Sequence, residues 1–373
     1  MKKVLYILHD SSYKGANRSF IDYLTTNMEK DATVVLPKSE DNELVAILQK
    51  NHIPYARFTI HADYYRKFSL KLLIKKRFFY KKFLDEEVKE IDTLVGHDFD
   101  LVHSNSLATI VGAVFAEKFG IPHVWHAREF LKEDFGMTYF EPEYVFHHLM
   151  TNSNMIFITK AIQEKFGRYC HKYQKVIFNG ISDGYLPKIP HSGTNIMIAG
   201  SLTAGKGQEE AIRAVNELIK ERYDVKLHIF GEGEDELKLK KLVSALKIEK
   251  RVIFYGFTKD LFNHRRLMDI ALVCSKKEAL GRVTIEAMYA ENFIIGANTG
   301  GTKELIGENN LHGLLYQQGN YSDLADKIRL VLERRIDTKP IIEAAKIFAY
   351  SKCLPESCYR EIDKFYDRVL SEK

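Results

Sequence analysis

Cysteine, proline and tryptophan are scarce in this chain of 373 residues, at 4, 8 and 1. Cys170, Cys274, Cys353 and Cys358 are too few and too irregularly spaced for a disulfide scaffold, and no CxxC pair or close Cys/His set suggests a structural metal. A reducing cytoplasm is the expected compartment. Low proline, with 22 glycines, 45% hydrophobic and 28% charged residues, excludes collagen-like and disordered classes. Long apolar runs are missing as well. Nothing approaches the roughly 18 residues of a membrane-crossing helix, so any membrane contact is expected to be peripheral. The run Val4-Leu5-Tyr6-Ile7-Leu8 stops at His9-Asp10, which suits a first buried strand and is too short for a signal peptide. Net charge is only +5, too small an excess to imply nucleic acid by itself.

What is present is an alternation of short β-rich runs with helical periodicity, over a length sufficient for two cores. Strands are expected at 4–9, 32–37, 100–103, 122–126, 155–159 and 176–178, with helices at 16–28, 42–50, 107–119 and 160–169. The segment from Leu186 to Gly193 holds Pro187 and Pro190 and little periodic apolarity, and reads as a boundary. A second series follows, with strands at 195–199, 225–230, 252–255, 270–274 and 293–297 and helices at 208–220, 234–246, 282–289, 302–306 and 321–334. Helical segments at 339–350 and 355–370 end the chain. The pattern predicts an α/β protein of two Rossmann-like, doubly wound domains. Ligands of such sheets bind beyond the carboxyl ends of the strands, so a central cleft faced by both domains is the expected substrate site.

Gly200-Ser201-Leu202-Thr203-Ala204-Gly205-Lys206-Gly207 lies between a strand and a helix. Small residues let the backbone approach a phosphate, a helix start offers unpaired N–H groups, and Lys206 adds a cation. The segment matches most of a Walker A loop, but Gly207 stands where a magnesium-ligating hydroxyl belongs. A different phosphate site, or a structural turn with a surface lysine, therefore remains. A second signal runs from Ser275 to Met288, where Glu278 follows a strand, Gly281 precedes a helix and Glu286 falls among Ile285, Ala287 and Met288. An acid in that apolar company either points to solvent or binds something.

Together these motifs resemble the retaining glycosyltransferases of the GT-B architecture (glycosyl transferases group 1, family 4), most strongly from Gly200 to Gly313. The spacing of Glu278 and Glu286, with seven residues between them, is that of the family's paired carboxylates. The resemblance implies that Lys206 binds the donor diphosphate, that Glu278 faces the donor sugar and that Glu286 accepts from the ribose hydroxyls. It implies donor contacts at Gly15, Ala16, Gly200, Ser201, Gly281, Arg282, Gly301 and Thr302. Many members carry arginine directly after the first glycine of the turn; this chain has Ser201, and Arg282 is the candidate replacement cation. His126 closes a strand and is expected, by the same resemblance, to contact the donor sugar; a structural histidine is the alternative. Arg128 and Glu129 follow as acceptor-side candidates. No acidic pair resembles a metal motif, so neither a metal ion nor another cofactor is expected; the donor substrate is a nucleotide sugar, with UDP-sugar favoured and GDP-sugar possible.

The implied organisation is an acceptor-side domain over 1–186, a nucleotide-sugar domain over 194–352 and a helix over 355–373 that returns to the first domain. From Tyr64 to Leu84 the chain holds Arg66, Lys67, Lys71, Lys75, Lys76, Arg77, Lys81 and Lys82 among aromatic and aliphatic residues, with no acid. Such a helix fits an anionic membrane surface. An ordinary solvated helix and RNA are the alternatives, although no nucleic-acid module accompanies the stretch. The reading is a cytoplasmic, peripherally membrane-associated hexosyltransferase acting on a lipid-linked or polysaccharide acceptor, with no nucleic-acid partner. Another nucleotide-sugar enzyme of this architecture, such as an epimerase, and a catalytically impaired partner subunit are its rivals. The oligomeric state is not set by the sequence.

Overall fold

The structure, a computed structural model, describes residues 2–13, 15–26, 31–40, 42–60, 64–65, 70–135, 138–139 and 143–372; for 64–65, 70–80, 134–135, 138–139 and 143 it describes the backbone alone. Two compact units result, one of Met1–Gly180 with Pro355–Lys373 and one of Ile181–Leu354. The chain thus changes unit at Gly180/Ile181, a few residues upstream of the proline-bearing segment.

The strands of the first unit are β1 (Lys3–Ile7), β2 (Asp31–Pro37), β3 (Tyr55–Phe58), β4 (Tyr64–Tyr65), β5 (Leu101–Ser104), β6 (His123–Ala127), β7 (Thr138–Tyr139), β8 (Asn154–Phe157) and β9 (Gln174–Val176). Seven of them form one parallel sheet in the order β3-β2-β1-β5-β6-β8-β9, and β4 pairs antiparallel with β7. Helices cover both faces, which is why β1, β5, β6 and β8 are buried along almost their whole length, the polar side chains of His103, Ser104, His123 and His126 included. Order reverses between β1 and β5, so the loops after those two strands splay apart and leave room at their carboxyl ends.

The second unit repeats the plan with β10 (Thr194–Ala199), β11 (Val225–Phe230), β12 (Val252–Gly256), β13 (Ile270–Val273), β14 (Phe293–Ala297) and β15 (Leu314–Tyr316). Its order is β12-β11-β10-β13-β14-β15, all parallel, with the reversal between β10 and β13. Helix Gln208–Lys220 buries Ala211, Ile212, Ala214, Val215 and Leu218 on one stripe, carries Glu209 and Glu210 in its first turn and ends on Lys220. That charge order suits the helix dipole.

The last helix, Pro355–Ser371, buries Cys358, Tyr359, Ile362, Phe365, Tyr366 and Val369, spaced three or four apart, in the core of the first unit. Polar ties accompany that face: Lys175 Nζ lies 2.6 Å from Glu361, Tyr23 donates to Asp363 at 2.8 Å, and the Tyr366 hydroxyl is 2.7 Å from His103 Nδ1.

Several elements differ from expectation. The helix expected from Leu107 begins at Val111, because the N–H of Leu107 is taken by Glu129 (2.5 Å) and that of Ala108 by the Ser106 hydroxyl (2.9 Å). Edge strand β3 and helix Glu143–Asn152 were not expected at all. The cationic stretch is not helical from its start: Tyr64–Tyr65 is a strand, and the helix runs from Leu70 to Val95, its second half carrying acids.

Candidate functional site

The second unit concentrates its unusual backbone at the carboxyl ends of β10 and β13. After β10 the chain passes through Gly200 (φ 149°) and reaches Gly207 (φ 73°), a left-handed N-cap for helix Gln208–Lys220. A Cβ at Gly207 would sit 2.2 Å from the carbonyl oxygen of Cys274, the residue after β13. Glycine is therefore required both for the dihedral and for the close approach of the two loops.

That approach delivers Lys206. Its Nζ is 2.5 Å from Glu278 Oε1, which also accepts from the Ser275 hydroxyl at 2.6 Å. The backbone ties the same loops together, with the Lys276 N–H donating to the Gly205 carbonyl at 2.9 Å. A third loop joins from β14, where the Gly301 N–H donates to the Glu278 carbonyl at 2.8 Å and a Cβ on Gly300 would lie 2.5 Å from that oxygen. Glu278 is thus the meeting point of turns from β10, β13 and β14. Among the described residues its Oε2 has no protein donor.

Gly281 (φ 83°) caps helix Arg282–Tyr289, and Arg282, half-buried, is its first residue. Glu286 lies one turn further on, 18% exposed, with Oε2 3.2 Å from Nη2 of Arg265. Burial pulls the Arg265 guanidinium below its usual range, opposed by the charge and hydrogen bond of Glu286. Ser201 is exposed, and its carbonyl accepts from Gln208 at 3.0 Å. Thr302 is buried, its methyl against β14, where a Cβ on Gly296 would meet it at 2.6 Å. Its hydroxyl oxygen is buried with no hydrogen-bond partner among the described residues. Taken together, the cluster offers the Lys206 cation, two carboxylates each with one oxygen lacking a protein donor among the described residues, and the N–H groups of a helix start.

The first unit gathers a polar knot at the ends of β1, β5 and β6. Asn17, 1% exposed, donates Nδ2 to Asp10 Oδ1 (2.5 Å) and to the Ser12 carbonyl (3.0 Å). Asn105 donates to Asn17 Oδ1 at 3.2 Å and to the Ala16 carbonyl at 3.4 Å, and accepts from Arg128 Nε at 2.9 Å. Arg128 also donates to Asn179 and, from Nη2, to His126 Nδ1 at 3.2 Å. A guanidinium only donates, so His126 Nδ1 is the acceptor and Nε2 carries the hydrogen. That Nε2 is buried with no hydrogen-bond partner among the described residues. Burial, then the Arg128 charge, then His103 hold the His126 pKa well below its ordinary value. His126 is thus a neutral donor.

Glu129 sits beneath the same loops, accepting from Ser106 (2.6 Å) and Leu107 N (2.5 Å), and its carboxyl pKa is raised chiefly by burial. His123 is structural: Ser104 Oγ and Ser153 Oγ lie 2.9 and 2.6 Å from its two ring nitrogens, and burial takes its pKa to about 3. Gly15 (φ 48°) opens helix Gly15–Thr26 with nothing within 4 Å of a built Cβ, and Ala16 follows. Asp10, Asn17, Asn105 and Asn179 were not among the expected site residues. Asp10, Asn105 and Asn179 each lie a few residues past the end of a strand, which is the signal that could have marked them.

Of the cationic stretch, Arg66 and Lys67 lie outside the described residues. Lys71, Lys75, Lys76 and Arg77 fall on the described helical backbone, and Lys81 and Lys82 are exposed, Lys82 being 3.8 Å from Glu86. No helix among the described residues is long and apolar enough to cross a membrane.

Comparison with known proteins agrees with the fold. Residues 187–348 match the family described as glycosyl transferases group 1. An uncharacterised glycosyltransferase of Methanocaldococcus jannaschii is 25% identical over 282 residues, 72% of this chain and 76% of that protein. N-acetyl-alpha-D-glucosaminyl L-malate synthase of Bacillus anthracis is 28% identical over 167 residues, 45% of this chain and 43% of that protein. Among solved structures, Anabaena HepE in complex with UDP superposes with a TM-score of 0.78 at 22% identity, over 98% of this chain and 100% of that one. Two parallel, helix-covered sheets of this kind define the GT-B class of fold. The likeness to the glycosyl transferases group 1 family rests on residues 187–348, which lie within the second unit, while the fold likeness extends over nearly the whole chain.

Proposed function

We propose that this chain is a retaining, metal-independent hexosyltransferase that moves a sugar from a nucleoside-diphosphate donor to a lipid-linked or polysaccharide acceptor in bacterial surface glycan synthesis. UDP-sugar is the favoured donor and GDP-sugar the alternative. The observation that carries the reading is the convergence of the turns after β10, β13 and β14 on the Lys206–Glu278 pair, with Glu286 on the next helix. In this reading Lys206 and the start of helix Gln208–Lys220 neutralise the departing diphosphate. Gly200, Ser201 and Gly301 bring backbone close to the donor, Arg282 adds a second cation, and Glu286 accepts from the ribose. Glu278 orients the sugar through Oε2. The bond from the anomeric carbon to the diphosphate breaks as the acceptor oxygen bonds to that carbon, and the acceptor proton passes to the departing phosphate oxygen. His126, neutral with Nε2–H, donates to a sugar hydroxyl and takes no proton. By the family resemblance alone, Gly15 and Ala16 are assigned to donor contact and Arg128 and Glu129 to the acceptor side.

Incubation with a panel of UDP-, GDP- and dTDP-sugars plus membrane extract, read by mass spectrometry, tests the reading. A glycosylated acceptor is expected. An isomerised donor without transfer would indicate an epimerase, and nucleotide binding without turnover a partner subunit; either result contradicts the proposal.

Because positive potential is supplied by Lys206 and helix amides, turnover is expected to persist in chelator after metal-free purification. Complete loss, restored by magnesium or manganese, would contradict that. Membrane attachment is assigned to 66–82, where each cation near an anionic surface contributes up to about 1 kcal/mol before screening. Changing Lys75, Lys76, Arg77, Lys81 and Lys82 to glutamine is expected to reduce sedimentation with anionic liposomes and leave nucleotide binding unchanged. Equal sedimentation across a salt titration would remove the membrane surface as a partner.

A further inference from the structure

Arg265 ends the short helix Leu261–Arg265 and is 1% exposed. Its Nη2 donates to Glu286 Oε2 and to the Val283 carbonyl, both at 3.2 Å, and Nη1 lies 3.5 Å from Met197 Sδ. Nε has no partner among the described residues. Its main chain is held as well: Asn292, also 1% exposed, donates Nδ2 to the carbonyls of Arg265 (2.9 Å) and Met268 (2.7 Å). A fully desolvated guanidinium facing one partly exposed carboxylate is a poor device for stability, since well-packed apolar side chains in such places are often as stable or more so. What this arrangement does provide is a carboxylate held in one position. Oε2 of Glu286 is bound from the protein side, while Oε1 has no protein donor among the described residues.

We propose that Arg265 is a positioning residue for nucleotide recognition. It rests on the reading of Glu286 as the ribose acceptor and deepens it: Arg265 never touches the ligand, and it sets the rotamer with which Glu286 Oε1 meets the ribose diol. Without that anchor Glu286 turns freely, and the site keeps its affinity for the diphosphate but loses its preference for a ribose bearing both hydroxyls.

The test is calorimetric titration of the full chain with UDP, 2′-deoxy-UDP and 3′-deoxy-UDP. The parent is expected to prefer UDP over at least one deoxy analogue by about tenfold or more, the scale of a hydrogen bond to a charged group. Arg265→Gln and Arg265→Met are expected to reduce that preference to about threefold or less, while inhibition by pyrophosphate stays as in the parent, which a general loss of structure would not allow. The methionine variant leaves no polar group in the buried position and keeps the measurement open if the glutamine variant fails to fold. Arg265→Lys is expected to restore an intermediate preference. Glu286→Gln separates the two layers of the claim. If it abolishes the preference while the folded Arg265 variants keep it, the positioning role is overturned. If Glu286→Gln itself keeps the preference, the ribose reading is overturned, and the role of Arg265 falls with it.

Discussion

Replacing Glu278 by glutamine is expected to lower turnover by about a hundredfold or more while nucleoside diphosphate binds as well as before, or more tightly. The two halves come from one geometry. In the free protein Lys206 is held 2.5 Å from Glu278 Oε1, so a diphosphate arriving at Lys206 has to displace a carboxylate. Glutamine removes that competing charge and frees the ammonium for the ligand. The same change weakens the orientation of the transferred sugar, because the charge-assisted acceptor held in place by Ser275 is gone. Calorimetry with UDP and initial rates with intact donor separate the two effects. Parallel losses in both would show that Glu278 supports only the shape of the loop, and unchanged rates would remove it from the reaction.

Lys206→Ala is expected to move binding the other way. One charge-assisted contact to the diphosphate is lost, worth about 1.5 to 3 kcal/mol, and the side chain's 34% exposure places the loss toward the lower end because water competes there. Glu278 is also left without its cation beside the incoming anion, which adds repulsion. The expected result is nucleotide affinity reduced by about tenfold or more and a larger loss of turnover, since the diphosphate gains charge as it leaves. A folded variant with the parent's affinity and rate would dismiss the lysine. The paired outcome, tighter binding in one variant and weaker binding in the other, is difficult to produce by misfolding.

Much of this was legible before any coordinates. The strands around Val4, Ile270 and Phe293 are apolar runs closed by turn residues, and a parallel sheet covered on both faces demands that pattern. The glycines of the Gly200–Gly207 turn announced a close approach, although the sequence did not say that the partner was the carbonyl of Cys274. Short, weakly alternating pieces escaped. Tyr55–Phe58 pairs with one neighbour only, and its four residues show little periodicity. The start at Val111 was hidden because Glu129, which captures the N–H of Leu107, comes 22 residues later. Arg265 was illegible for a similar reason. It stands beside Arg266 in the same helical turn, and only the fold buries one and leaves the other near the surface. His126 was legible as a strand-end residue, but its tautomer depends on Arg128, two positions along, turning back toward it.

The central claim is that nucleotide recognition lies where the turns after β10, β13 and β14 meet. A crystal structure of the protein with UDP tests it most directly. The account predicts the diphosphate within hydrogen-bond distance of Lys206 Nζ and the backbone N–H groups at the start of helix Gln208–Lys220, Lys206 released from Glu278, and a ribose hydroxyl on Glu286 Oε1. UDP bound at the β1 and β5 loops of the first unit, or bound with the Lys206–Glu278 pair undisturbed, would contradict it.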